Sequence, residues 1–191
     1  MTKSASHDFQ YLQEISAHYR RKAQPLPAIK KSDAHWSALL FQLGDYRFVC
    51  QQTFIHEVLA LPPFAVLPSA SDWVLGVANL RGALLPLVDL GAFVGESTPL
   101  PRQRRVMVCR HHEQWLGLVV DAVMGVQRLK DDQFEPTGEC PLLSLQPYAR
   151  ASTLIRYQRY WVLALDELLN DPTFTTVSRP LEAASAEINV G

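Results

Sequence analysis

No apolar run in this 191-residue chain approaches the roughly 20 residues that a membrane-crossing helix requires. The first ten residues, MTKSASHDFQ, hold no apolar signal core. Neither sign of charge is in surplus. Eighteen Lys and Arg stand against nineteen Asp and Glu, a formal net charge of −1. Bulk attraction to nucleic acid or to an acidic membrane is therefore not expected. Cysteine is scarce and odd in number. Cys50, Cys109 and Cys140 cannot all pair within one chain, and the first two sit in apolar strand-like runs where buried free thiols are common. A reducing cytosol follows, with any membrane work done through a partner.

Catalytic signatures are missing as well. There is no G-x-S-x-G elbow and no G-x-x-x-x-G-K phosphate loop. His56-Glu57 begins like H-E-x-x-H, but Ala60 stands where the second histidine belongs. Cys109, His111 and His112 form the only close metal-type cluster. His112 falls on the opposite face of a strand from the other two, and no fourth ligand is evident, so no metal or other cofactor is expected. Asp131-Asp132 reads as solvated. Asp89 and Asp166 read as helix caps rather than paired catalytic carboxylates. Arg102, Arg104 and Arg105 lack interleaved aromatics and read as a solvated linker face.

What the chain does have is 48% hydrophobic residues against 19% charged, enough for a sizeable core. The most telling stretch is Trp73 to Val94, WVLGVANLRGALLPLVDLGAFV. Two apolar runs, VLGVANL and ALLPLVDL, meet at Arg81-Gly82, where glycine permits the positive φ of a tight hairpin. Both runs lack a helical stripe and read as strands buried on both faces. Pro86 cannot donate to a ladder and is expected at an edge or bulge. Asp89 suits the N-cap of a short helix from Leu90 to Val94.

Residues 1–33 read as an arm. Phe9, Leu12, Ile15 and Tyr19 are spaced for one helical face, which Pro25 and Pro27 end. That helix either packs on its own domain or docks on a partner. From Trp36 the period changes. Leu40 to Leu43, a Gly44-Asp45 turn and Tyr46 to Cys50 form a hairpin, and Phe54 to Leu61 a further strand. Gly95 to Arg104 is a polar linker. The pattern then recurs. Arg105 to Arg110 and Trp115 to Val120 make another hairpin, and Val123 to Leu129 follows it. An offset of 68 positions superposes Ile55 on Val123 and Val58 on Val126. Further on, Tyr160 to Asp166 echoes Ala83 to Asp89, with Asp166 as a cap. Two copies of a short-strand meander imply a mainly β fold of two small barrels. The first spans about 34–95 and the second about 103–170, with strand exchange between them allowed. Residues 171–191 read as a polar tail.

The ordered motif Gly76, Val77, Asn79, Arg81, Gly82, then Pro86, Asp89 and Leu90, resembles the CheW family of chemotaxis coupling proteins. The resemblance covers roughly Trp36 to Asn170. The arm, the Trp36 start and the later RQRRVMV are most similar to members serving type IV pili and twitching motility. The resemblance implies two pseudo-symmetric five-stranded SH3-like β-barrels with a hydrophobic groove between them. It implies a non-catalytic adaptor, cytoplasmic and recruited to receptor arrays. Its partners would be the cytoplasmic tip of a methyl-accepting receptor and the regulatory domain of a CheA-like histidine kinase, itself a tandem barrel. A flagellar adaptor is the alternative, and a small β-barrel enzyme a remote one. Arg81 either sits at an exposed turn, where any ion pair contributes about 0–1 kcal/mol, or folds over the barrel onto Glu57, which an adjacent strand can place opposite the hairpin, as a desolvated pair. Residues matching Arg81 and Glu57 are associated in the family with coupling, which favours the second, with Asn79 and Gly82 shaping the turn. Glu57 and Gly76 are the expected kinase contacts. Receptor contact is expected at Ile55 and Val126, with Val58 and Val123 in the core. Residues three apart on a strand share a face only across a bulge.

Overall fold

A computed structural model describes residues 35–68, 71–96, 104–111, 114–136 and 138–172. The expected arm helix, most of the Gly95 to Arg104 linker, and the tail beyond Pro172 lie outside the described residues. Alternating and β-branched sequence produces twelve strands among the described residues. They are β1 (His35–Leu43), β2 (Tyr46–Gln51), β3 (Ile55–Ala60), β4 (Phe64–Ala65), β5 (Val74–Leu80), β6 (Ala83–Asp89), β7 (Arg105–His111), β8 (Gln114–Val120), β9 (Ala122–Lys130), β10 (Phe134–Pro136), β11 (Ala149–Ile155) and β12 (Gln158–Leu163). Two short helices, α1 (Leu90–Phe93) and α2 (Leu165–Leu169), follow β6 and β12.

The strands form two sheets, β10-β11-β12-β2-β1-β9 and β3-β7-β8-β6-β5-β4. Laid flat, the outer strands of either sheet would sit about 24 Å apart at normal strand spacing. Yet only three residues separate Ala60 from Phe64, and three separate Lys130 from Phe134. Four peptide steps reach at most about 15 Å. Each sheet must therefore curl until its outer strands approach, and each outer pair acts as one kinked strand. This curl fits the two small barrels that the repeat implies, with five strand positions each as the family resemblance implies.

Neither barrel is a continuous piece of chain. The first hairpin, β1-β2, pairs with β9 and β12 of the second repeat, and the second hairpin, β7-β8, pairs with β3 and β6 of the first. Both barrels thus hold one borrowed hairpin, joined in parallel along β12·β2 and β6·β8. This exchange explains why so many strands are apolar on both faces. Along β1, Ala38 and Leu40 join a cluster confined to one sheet, while Leu39, Phe41 and Leu43 join a cluster drawn from both. Along β7, Val106 and Val108 pack inside the other barrel, while Met107 and Cys109 enter the shared core. Alternation with period two fills three cores from one set of strands. Cys50, Cys109 and Cys140 are free and buried.

Three local expectations need correction. Pro86 lies in an interior strand, opposite Val77, one residue before the parallel pairing of β6 with β8 begins at Leu87. Asp166 is not a cap. Ala164 occupies that position without a side-chain bond, and Asp166 lies in the first turn of α2, where a negative charge still favours the helix dipole. Asp89 does cap α1, accepting from the Ala92 amide at 3.1 Å.

Arg104 is the largest departure. It is 4% exposed, not a solvated linker residue. Its Nη1 donates to Asp89 Oδ2 at 2.6 Å, and its Nε lies 3.7 Å from Asp121 Oδ1. The other Asp121 oxygen accepts from the Gly44 amide at 2.6 Å. Asp121 is the single residue between β8 and β9, where the chain passes from one barrel to the other. Truncating Arg104 strands two buried carboxylates. Arg104→Ala should lower the unfolding free energy by about 3–5 kcal/mol in urea titration, and a change below about 1 kcal/mol would contradict this account of the cluster.

Candidate functional site

The Arg81-Gly82 turn joins β5 to β6 with positive φ at both central residues, 53° and 87°. That is the mirror-image turn whose twist suits a two-residue hairpin. Asn79 steadies it, its Oδ1 accepting from the Gly82 amide at 2.9 Å. An arginine in the left-handed region carries a cost of about 1–2 kcal/mol. The turn aims Arg81 back across the barrel, where its Nη2 meets Glu57 Oε2 of β3 at 2.9 Å. The pairing inferred from sequence is present, but it is not desolvated. The Arg81 side chain is 75% exposed and that of Glu57 24%. Solvent screening leaves such a pair about 0–1 kcal/mol rather than the several expected of a buried one.

Beside the pair lies a groove of about 210 Å³ lined by His56, Leu80, Leu84 and Trp115 among others. The His56 and Trp115 rings stand 4.8 Å apart, and the Arg110 guanidinium sits 5.9 Å from the Trp115 ring centre, within cation–π range. Leu84 is 43% exposed at its rim. Trp115 and Leu84 do not stand out in the sequence, and His56 stands out there only as a failed metal-ligand motif. Leu84 and Trp115 look like ordinary members of apolar runs, and only the curl of the barrel brings them together. The groove is apolar with one ion pair at its edge, which suits a protein surface better than a reaction. Among the described residues no cluster of His, Cys, Asp or Glu is grouped to hold a metal ion. Nor is any helix among them long and apolar enough to cross a membrane.

Gly76 is buried in β5, and a Cβ there would lie 2.0 Å from the Ala65 carbonyl oxygen, at φ 142°. Its position serves the close passage of β4 over β5 and leaves no side-chain surface for a partner.

The apolar candidates fall differently from expectation. Both strands carry a bulge, between Ile55 and Glu57 on β3 and between Val123 and Gly125 on β9. Gly125, at φ 122°, absorbs the second. The extra residue restores a common face. Ile55 and Val58 lie opposite Cys109 and Met107, and Val123 and Val126 lie opposite Phe41 and Leu39, all four partners belonging to the shared core. Ile55 and Val123 pack against that core, whereas Val58 is 39% and Val126 51% exposed. The repeat is therefore obeyed in three dimensions, with the inner pair Ile55 and Val123 and the outer pair Val58 and Val126. Val58 is not a core residue.

Comparison with known proteins follows from this geometry. Residues 37–173 match the CheW-like domain model. The chain is 41% identical over 141 residues to Protein PilI of Pseudomonas aeruginosa, covering 73% of this chain and 79% of that one. It is 30% identical over 134 residues to the probable chemotaxis protein CheW of Rhizobium etli, covering 70% and 86%. The crystal structure of scaffolding protein TtCheW from Thermoanaerobacter tengcongensis superposes with a TM-score of 0.64 at 20% identity, over 73% of this chain and 95% of that one. At that identity the likeness establishes the fold.

Two stability measurements check the site. A double-mutant cycle on Glu57→Gln and Arg81→Gln should give a coupling no greater than about 1 kcal/mol. Gly76→Ala should cost at least about 2 kcal/mol, because neither the backbone of β4 nor the positive φ can be relieved cheaply.

Proposed function

Because the chain belongs to the CheW-like domain family, we propose that it is a non-catalytic adaptor coupling a methyl-accepting receptor to a CheA-like histidine kinase, in the chemosensory control of type IV pili and twitching motility. The observation carrying this reading is the 41% identity to Protein PilI across most of both chains. An adaptor needs two separate exposed surfaces and no reactive group. The groove beside Glu57 and Arg81 supplies one, and the Val58 and Val126 margins supply another.

Glu57 is proposed as the kinase contact, with Arg81 and the groove beside it. A kinase regulatory domain built as a tandem barrel would present strand edges and turns there. The interface can be modest, about 1,000 Å² in total, since assembly in arrays adds avidity. Receptor contact is proposed along the exposed margin of the shared-core face of β3 and β9. Val58 and Val126 are the residues that touch, and Ile55 and Val123 the ones that hold those strands on the shared core. The apolar stripe of a helical receptor tip is the kind of ligand such a margin accommodates. The protein would work in the cytoplasm and reach the membrane through the receptor.

A reconstituted phosphotransfer assay with kinase and receptor should show receptor-dependent kinase activity only when this protein is added. Glu57→Lys should weaken kinase capture with the melt nearly unchanged. Val58→Asp and Val126→Asp should each place an unpaired charge in the receptor contact, a cost of several kcal/mol, and abolish receptor pull-down while kinase capture survives. Wild-type receptor binding in both valine variants would place the receptor surface elsewhere.

A further inference from the structure

Asp121 is the whole connection between β8 and β9, and so the shortest link between the two barrels among the described residues. Its main chain and side chain are both held. The Asp121 amide donates to the Gln42 carbonyl at 3.1 Å, and one carboxylate oxygen accepts from the Gly44 amide at 2.6 Å. Gln42 Nε2 closes the loop by donating to the Gly44 carbonyl at 2.7 Å. These bonds tie the crossing to the β1-β2 turn, part of one barrel. The other carboxylate oxygen faces Arg104, which is bonded to Asp89 at the end of β6 in the other barrel. Asp89, Arg104 and Asp121 are 6%, 4% and 8% exposed.

The cluster also adjoins, directly or through one paired strand, the strands that carry the proposed contacts. β6 ends at Asp89 and lines the groove beside Glu57. β7 starts after Arg104 and pairs with β3, which bears Glu57 and Val58. β9 starts after Asp121 and bears Val126. Arg104 Nη1 is hydrogen-bonded to Asp89, whereas its Nε has no hydrogen-bond partner and reaches Asp121 as a 3.7 Å ion pair. A wider gap would leave buried charge still less compensated in a poorly polarisable interior.

We infer that Arg104 and Asp121 are positioning residues: they clamp the β8-β9 crossing and set the angle between the two barrels, so that a shift at the receptor-facing strands reaches the kinase-facing groove. The inference rests on the adaptor reading for its second half and on the geometry alone for its first.

The test separates the two. Ala60 on β3 and Arg128 on β9 are exposed, so cysteines placed there take nitroxide labels on opposite barrels. The native thiols are buried, and burial pushes that of Cys50 up to about 12, which keeps it out of the labelling reaction. Double electron–electron resonance should give one narrow distance distribution for the otherwise unaltered chain. Asp121→Ala should broaden it, and Asp121→Asn, which keeps the Gly44 bond but loses the charge facing Arg104, should broaden it less. In parallel, the affinity for the kinase regulatory domain is measured with and without a receptor tip fragment. The ratio should lie in the range of about 5–150-fold typical of coupled sites, and fall to about one in Asp121→Ala while each partner still binds alone. If Asp121→Ala does not fold, the combination Asp89→Asn, Arg104→Met and Asp121→Leu fills the same space without charge and should show the same loss. An unchanged distance distribution in a folded variant overturns the clamp. A broadened distribution with the ratio intact overturns the positioning role. If the unsubstituted chain binds neither partner, the adaptor reading fails, and the distances still decide the clamp.

Discussion

One arginine side chain sits between two carboxylates at the point where the chain leaves one barrel for the other, and the remainder of the architecture is arranged so that this burial is tolerable. Removing three charges from water costs several kcal/mol for each ion, and only well-placed partners offset it. Asp89 finds one partner in Arg104 and another in the α1 amide of Ala92. Asp121 finds the Gly44 amide in the β1-β2 turn, on the β9 side of the crossing. The partners come from β6, α1, the approach to β7, the β8-β9 link and the β1-β2 turn, so none of these can move far alone. The cluster thus joins elements of both barrels separated by as many as 77 positions along the chain.

Exchange of hairpins between the repeats follows the same logic. A small barrel with a single lumen buries little apolar area for its size. Here each borrowed hairpin contributes one face to a lumen and the other to a core common to both barrels. The matched bulges on β3 and β9 are a consequence with functional weight. They turn Val58 and Val126 to the outer side of the shared core, giving an apolar margin at equivalent places on both barrels. Without the extra residue, Val58 would face into its own lumen, and so would Val126.

The hairpins were legible because their signals are local: alternation with period two, and Gly44-Asp45 or Arg81-Gly82 at the turns. The repeat was legible because the offset of 68 positions aligns the same elements, and it proved more faithful than the residue-level choices drawn from it. Choosing Ile55 as groove-facing and Val58 as core broke the symmetry, because a bulge leaves no mark in sequence beyond a permissive residue such as Gly125. Glu57 and Arg81 were paired correctly, although β3 is not hydrogen-bonded to either strand of the Arg81 hairpin and the contact reaches across the barrel. Their exposure was not legible, because it depends on what lies above them. Arg104 was misjudged for a related reason. Flanked by Arg102 and Arg105, it looks like one of three solvated charges, and its partners Asp89 and Asp121 lie 15 and 17 positions away.

The sequence by itself determined most of the strands, though not β4, β10 or β11, together with the main hairpin turns, the doubling of the pattern and the family, because each rests on residue type, spacing or order along the chain. Tertiary structure alone decided which hairpin belongs to which barrel, which valines are exposed and which charge is buried. Those outcomes depend on the parallel pairing of strands far apart in sequence, β2 with β12 and β6 with β8, and on the curl that closes each sheet. Burial is set by what packs on top of a residue, and in this fold the covering strand comes from the other half of the chain.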